Sequence, residues 1–162
     1  MSRAALVLLL AVLAGPALSL SCAPYGPTDA YLAADAAETP HVIVIGTLEF
    51  SERLLPKVDL KHQDRTPQHT LIPARLSGRL LGSAGFRQPF VQDITLEVLC
   101  YGPWCPVTRS GQIYLTFLQR TDEGYLLSTN PCGGFAFGTP SPRVLREVRT
   151  CFDGGNCPPS SR

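Results

Sequence analysis

Six cysteines, Cys22, Cys100, Cys105, Cys132, Cys151 and Cys157, are the residues of this chain best equipped for chemistry. Thiols serve redox exchange, metal ligation or structural cross-linking. Redox exchange favours Cys-x-x-Cys, and zinc sites favour similarly tight pairs. The closest spacings here are Cys100-x4-Cys105 and Cys151-x5-Cys157, so three disulfides are the expected outcome, with their connectivity open. Cys22 stands apart, because every other cysteine lies from position 100 onward. If Cys22 is cross-linked, the stretch Ser21-Cys22-Ala23-Pro24 is held at one place on the body. Pro24, with its fixed φ, stiffens the exit from that anchor.

Other reactive side chains form weaker patterns. His41, His62 and His69 could join Asp59 and Asp64 around a metal, the last four being near in sequence. Polar loop residues of this kind ordinarily face water, so no intrinsic metal site and no cofactor are expected. Tyr101 and Trp104, inside Cys100-x4-Cys105, suit either a binding anchor or a cap on one end of the fold. No Gly-x-Ser-x-Gly elbow, His-Glu-x-x-His or phosphate loop is present, so an enzyme is not expected.

Residues 1–19 read as a secretory signal peptide. Arg3 is its only charge, Ala4 to Ala14 is unbroken apolar sequence, and Ala17-Leu18-Ser19 supplies the small residues of a cleavage site. Cleavage after Ser21, or lipidation at Cys22 through the lipobox-like Ser19-Leu20-Ser21, are the other processing routes. The apolar run is shorter than the roughly 20 residues of a membrane span. These features predict a secreted protein, extracellular or periplasmic, with residues 20–162 as a single domain and no membrane span. Removing the leader takes Arg3 and no acid from 14 basic and 13 acidic residues, leaving them balanced. No basic block is present, so nucleic acid is not an expected partner. A protein partner and a monomeric state are.

The elements that must position these residues follow from periodicity. Thr28 can cap a short helix, Asp29 to Ala37, which Pro40 ends. His41 to Phe50 is the clearest strand, with Gly46 suggesting a bend or bulge. Residues 51–67 are a long polar connection. Thr70 to Leu81, broken by Pro73 and Gly78, suggests a bent or edge strand. Residues 82–90 read as a Gly-rich turn, and Val91 to Leu99 alternates cleanly, with Ile94, Leu96 and Val98 inward. Gln112 to Gln119 and Tyr125 to Ser128 form a hairpin through Asp122-Glu123-Gly124, with Tyr114 on the outward face. Cys132-Gly133-Gly134 reads as a corner or as a ridge beside the N-terminus. Ser141 and Pro142 open a helix from about Arg143 to Cys151. Residues 152–162 read as a flexible tail. The sum is a mainly β fold: a five-stranded, OB-fold-like closed barrel with a short N-terminal helix and a C-terminal helix, stapled by disulfides.

Several pieces in order resemble the inhibitory domain of the tissue inhibitors of metalloproteinases, within the netrin-like superfamily. They are Ser21-Cys22-Ala23-Pro24, the short helix, Val42-Ile-Val-Ile-Gly-Thr47, the hairpin Ile113 to Ser128, Cys132 and the helix ending at Cys151. That family starts Cys-x-Cys, and Cys22 matches the second of these cysteines. The resemblance implies Cys22–Cys132, and its missing counterparts leave Cys100–Cys105 and Cys151–Cys157. Leu20 stands where the first family cysteine would be. The family inhibits by setting the α-amine and carbonyl of its first residue on a protease's catalytic zinc. Both are backbone groups, so Leu20 can supply them. The implied target-binding surface is Leu20, Ser21, Cys22, Ala23 and Pro24 with Cys132, Gly133 and Gly134, and the implied partner is a zinc metalloprotease. The competing expectation is a non-inhibitory extracellular or envelope domain that binds peptide or glycan on its barrel face.

Overall fold

The computed structural model describes residues 20–160, so the leader lies outside the described residues. Its first strand, β1 (His41–Phe50), forms where the β-branched run begins. It pairs antiparallel with β2 (His69–Gly82) on one side and β4 (Gln112–Thr121) on the other. β3 (Gly85–Leu99) continues the sheet beyond β2, and β5 (Gly124–Asn130) lies parallel to β3. β5 also pairs with β4 at Gln119↔Leu126, so strand pairing runs round a closed circuit, β1-β2-β3-β5-β4. Two short strands, β6 (Gly133–Gly134) and β7 (Ala136–Gly138), add to β5 and β4. Helices α1 (Pro27–Asp35) and α2 (Pro142–Phe152) complete a mainly β chain.

Side chains of one strand face fill the inside of the circuit: Val44, Leu48, Ile72, Leu76, Leu96 and Val98 are all fully buried. A second cluster lies outside β1 and β4, where Ile43, Leu115 and Phe117 meet Ala30 and Ala34 of α1 and Val148 of α2. β4 is therefore buried on both faces from Tyr114 to Leu118, which strict alternation does not anticipate. Tyr114 is turned inward, only 4% exposed, and its hydroxyl accepts from the Arg109 N–H at 2.9 Å.

Several sequence expectations shift. β2 is neither interrupted nor an edge, since β1 and β3 flank it. Pro73 fits there because the β1 ladder ends one residue away, at Phe50↔Ala74, so its missing N–H leaves no partner unpaired on that side. Residues 85–90 belong to β3 rather than to a turn. The register passes Gly46 unbroken and shifts at Leu80/Leu81 instead. Gly46 sits opposite Gly78, and a Cβ on Gly46 would stand 2.6 Å from the Ser77 carbonyl oxygen. Close backbone approach, not a bulge, is what these glycines permit.

α1 begins two residues earlier than its sequence suggests, and ends two earlier, at Asp35. Gly26 is its N-cap, and Asp29 reaches back to accept the Gly26 N–H at 2.8 Å. In α2 the Ser141 hydroxyl accepts the Val144 N–H, with Pro142 at the first position. The cysteines form three bonds: Cys22–Cys132, Cys100–Cys105 and Cys151–Cys157. The third closes the segment after α2, and Ser160 donates its N–H to the Asp29 carboxylate at 3.2 and 3.3 Å. The stretch read as a tail is thus tied to the start of α1. Among the described residues no helix is long and apolar enough to cross a membrane.

Candidate functional site

The turn between β5 and β6 is the platform for the N-terminal segment. Asn130 Oδ1 accepts the Cys132 N–H at 2.9 Å and fixes the turn. Gly133 and Gly134 follow at φ 142° and 85°, conformations that side chains resist. A Cβ on Gly134 would lie 2.9 Å from Thr129 Cα, and one on Gly133 would run into the Tyr25 ring. Glycine here is therefore what lets Tyr25 lie flat against the turn. The same ring stacks on Phe137, centroids 6.3 Å apart and planes 18° from parallel. Burial, helped by the Asp29 charge, pushes the Tyr25 phenol above its ordinary pKa.

Cys22 is bonded to Cys132 across 110 residues, with Cα atoms 5.3 Å apart. The structure thus places Cys22 and Tyr25 directly on the Cys132–Gly134 turn. Ser21, Ala23 and Pro24 are exposed beside it, and Leu20 is half-buried. Residues 20–26 thus form a strap, held at its other end by α1. Burial alone would raise the Asp29 pKa, but hydrogen bonds from Ser160 and Gly26 outweigh it and hold the carboxyl below its usual range. A charged Asp29 therefore joins three segments: the strap, the helix N-terminus and the C-terminal segment.

A neighbouring surface was not among the sequence expectations. The β1–β2 connection, with 3₁₀ turns at Glu52–Leu54 and Gln63–Arg65, is knit to the β3–β4 connection. Gln68 exchanges two hydrogen bonds with the Gly102 backbone, and Glu52 accepts the Ser110 N–H at 2.8 Å. These loops expose apolar side chains, above all Val107 (84%) and Leu60 (74%). A cavity of about 350 Å³ separates Pro106–Thr108 from Pro131 and Gly133. The strap, this cavity and the exposed loop tips therefore share one end of the sheet. The available signal was Pro106-Val107-Thr108 directly after a cysteine: a turn-bound Val has no strand face to bury it, while Thr108 is buried.

The remaining candidates separate. His41 Nδ1 bonds the Thr39 carbonyl at 2.8 Å and its ring packs on Phe135. Burial depresses its pKa, the Thr39 bond only partly opposing this. His62 pairs with Asp59 in the loop, and His69 pairs with Glu97 across strands. Among the described residues no three metal-ligating side chains gather. Trp104 is half-buried, its ring lying over Gly102, and Tyr101 is exposed. Compared with family models, curated proteins and solved structures, the chain matches none.

Proposed function

We propose that this chain is a secreted module similar to the tissue inhibitors of metalloproteinases, and that it binds a protein partner through its anchored N-terminal segment. The partner class is a zinc metalloendopeptidase, and the barrel of the module is an OB-fold. The circuit β1-β2-β3-β5-β4, with β3 and β5 parallel, supports the OB-fold assignment. The observation that carries the functional reading is the Cys22–Cys132 bond, because it fixes exposed Ser21 to Pro24 on the glycine turn. A pre-ordered segment binds without the entropy loss of about 1–2 kcal/mol per residue that a free one incurs. Val107 and Leu60 extend the same end with apolar surface suited to a protein partner.

The chemistry asked of the strap is modest. The α-amine of a mature Leu20, with an ordinary pKa of about 7.7–8, is partly neutral at physiological pH and can donate its lone pair to a metal held by the partner. The test is inhibition of a panel of zinc metalloendopeptidases by protein exported with its own leader. The reading expects inhibition that a Cys22→Ser/Cys132→Ser variant, still folded, loses at least in large part. Equal activity of the variant, or none from the parent against any member, refutes it. The barrel-face alternative loses its aromatic contact, since Tyr114 points inward.

A further inference from the structure

A cleft at the opposite end of the sheet, where β1 begins and β2 ends, carries an inference that does not depend on the function proposed above. Its volume is about 370 Å³, within the range of small-molecule sites. Its walls are mainly apolar: Ala34 of α1, Val42 and Ile43 of β1, Leu80 and Leu81 of β2, and Phe152 of α2. Phe152 is 40% exposed. Burial keeps His41, on the same wall, toward the neutral form, so it brings no firm positive charge.

The charged groups that line the cleft are Asp35 and Glu38, both acidic. Neither belongs to an ion pair among the described residues. Asp35 is the last residue of α1 and Glu38 follows just beyond its C-cap, Ala36; the last turn holds no basic residue. The helix carbonyls there already present partial negative charge, so carboxylates at this end work against the helix. Among the described residues no basic side chain stands within ion-pair distance of either carboxylate, and Arg149 is engaged elsewhere, by Asp153 and the Ser83 carbonyl. An apolar floor with an uncompensated negative rim is complementary to a cation that carries an apolar body.

We propose that this cleft binds a small organic cation, a protonated amine on an aryl or alkyl body. The body lies against Val42, Leu80 and Phe152, and the ammonium faces the Asp35 and Glu38 carboxylates. The charge gives the site its sign selectivity, and the apolar walls give it the contact area.

The experiment is a two-dimensional amide NMR titration of the folded, disulfide-intact protein with three matched probes: 2-phenylethylammonium, 2-phenylethanol and phenylacetate. The ammonium should shift the amides of Ala37, Glu38, Val42 and Ile43, the alcohol should bind more weakly there, and the carboxylate should not bind. Asp35→Asn/Glu38→Gln should weaken the ammonium about tenfold, the effect of two partly exposed ion pairs, and leave the alcohol unchanged. Both positions are exposed, so the fold should survive, and the same spectra verify it. Ala37→Trp, which fills the mouth, should abolish binding of every probe. Equal affinity for the three probes, or no shifts at millimolar ammonium, overturns the proposal. So does selective binding of the peptide acetyl-Leu-Lys-Leu-amide with no response to the free amine, which would assign the cleft to a protein partner.

Discussion

Replacing Cys22 and Cys132 together by serine should be the most damaging disulfide loss in this protein. The bond spans 110 residues, whereas Cys151–Cys157 spans 6. In the chain-entropy treatment the longer loop contributes about 4.8 kcal/mol and the shorter about 2.2. For a domain of this size a kcal/mol corresponds to about 3–5 °C in Tm, so the expected falls are on the order of 15–20 °C and 7–10 °C. Paired serine variants avoid leaving a reactive free thiol in either case. Calorimetric melting under non-reducing conditions gives the ranking. Hydrogen exchange of the Gly26 and Cys132 amides, which are hydrogen-bonded to Asp29 and Asn130 at the two ends of the anchor, separates the strap from global stability. Those amides should exchange faster in Cys22→Ser/Cys132→Ser even under conditions where the core remains protected. If this variant melts no lower than Cys151→Ser/Cys157→Ser, or if strap exchange is unchanged, the anchoring argument fails.

Other outcomes follow from the same geometry. Gly133→Ala forces a side chain into a φ of 142° and against Tyr25, and should cost about 1–3 kcal/mol, while Gly82→Ala, whose Cβ meets nothing within 4 Å, should cost far less; denaturant titration compares them. Phe117→Ala empties a fully buried position between both helices and the sheet and should cost about 3–5 kcal/mol by the same method. Asp29→Asn should cost about 1 kcal/mol near neutral pH, a low figure because the carboxylate is partly exposed. The Asp29 pKa is depressed on folding, so its stabilisation is present above its unfolded value of about 3.9 and is lost as pH falls through the folded one. The gap between parent and Asp29→Asn should therefore close below about pH 4 in acid titrations of Tm; a gap that persists there contradicts the capping role.

Local pattern carried much of the fold. β1 has the bounds its β-branched run predicts, and the β4–β5 hairpin turns at the expected Asp122-Glu123-Gly124. The three disulfides coincide with the pairings that the family resemblance implies. What local pattern missed was set by tertiary contacts. Pro73 and Gly78 lower strand propensity, yet β2 runs through both because its neighbours accommodate them. Tyr114 alternates as an outward residue, yet the helices bury the Leu115 and Phe117 face of β4 and Tyr114 turns into the inner core. β6 and β7 are two and three residues of glycine-rich sequence, too short to show a period. At the candidate site, Cys22 and Pro24 were visible from residue type, but Tyr25 was not. Its place depends on the absence of a side chain at Gly133, more than 100 residues away.

The most direct test adds one alanine before Leu20 and measures inhibition of a zinc metalloendopeptidase that the unextended, exported protein inhibits. The extension displaces the α-amine while leaving the Cys22–Cys132 anchor intact. If the anchored N-terminus delivers that amine to the metal, inhibition should be abolished, with Tm unchanged. Unaltered inhibition by the extended protein would contradict the mechanism.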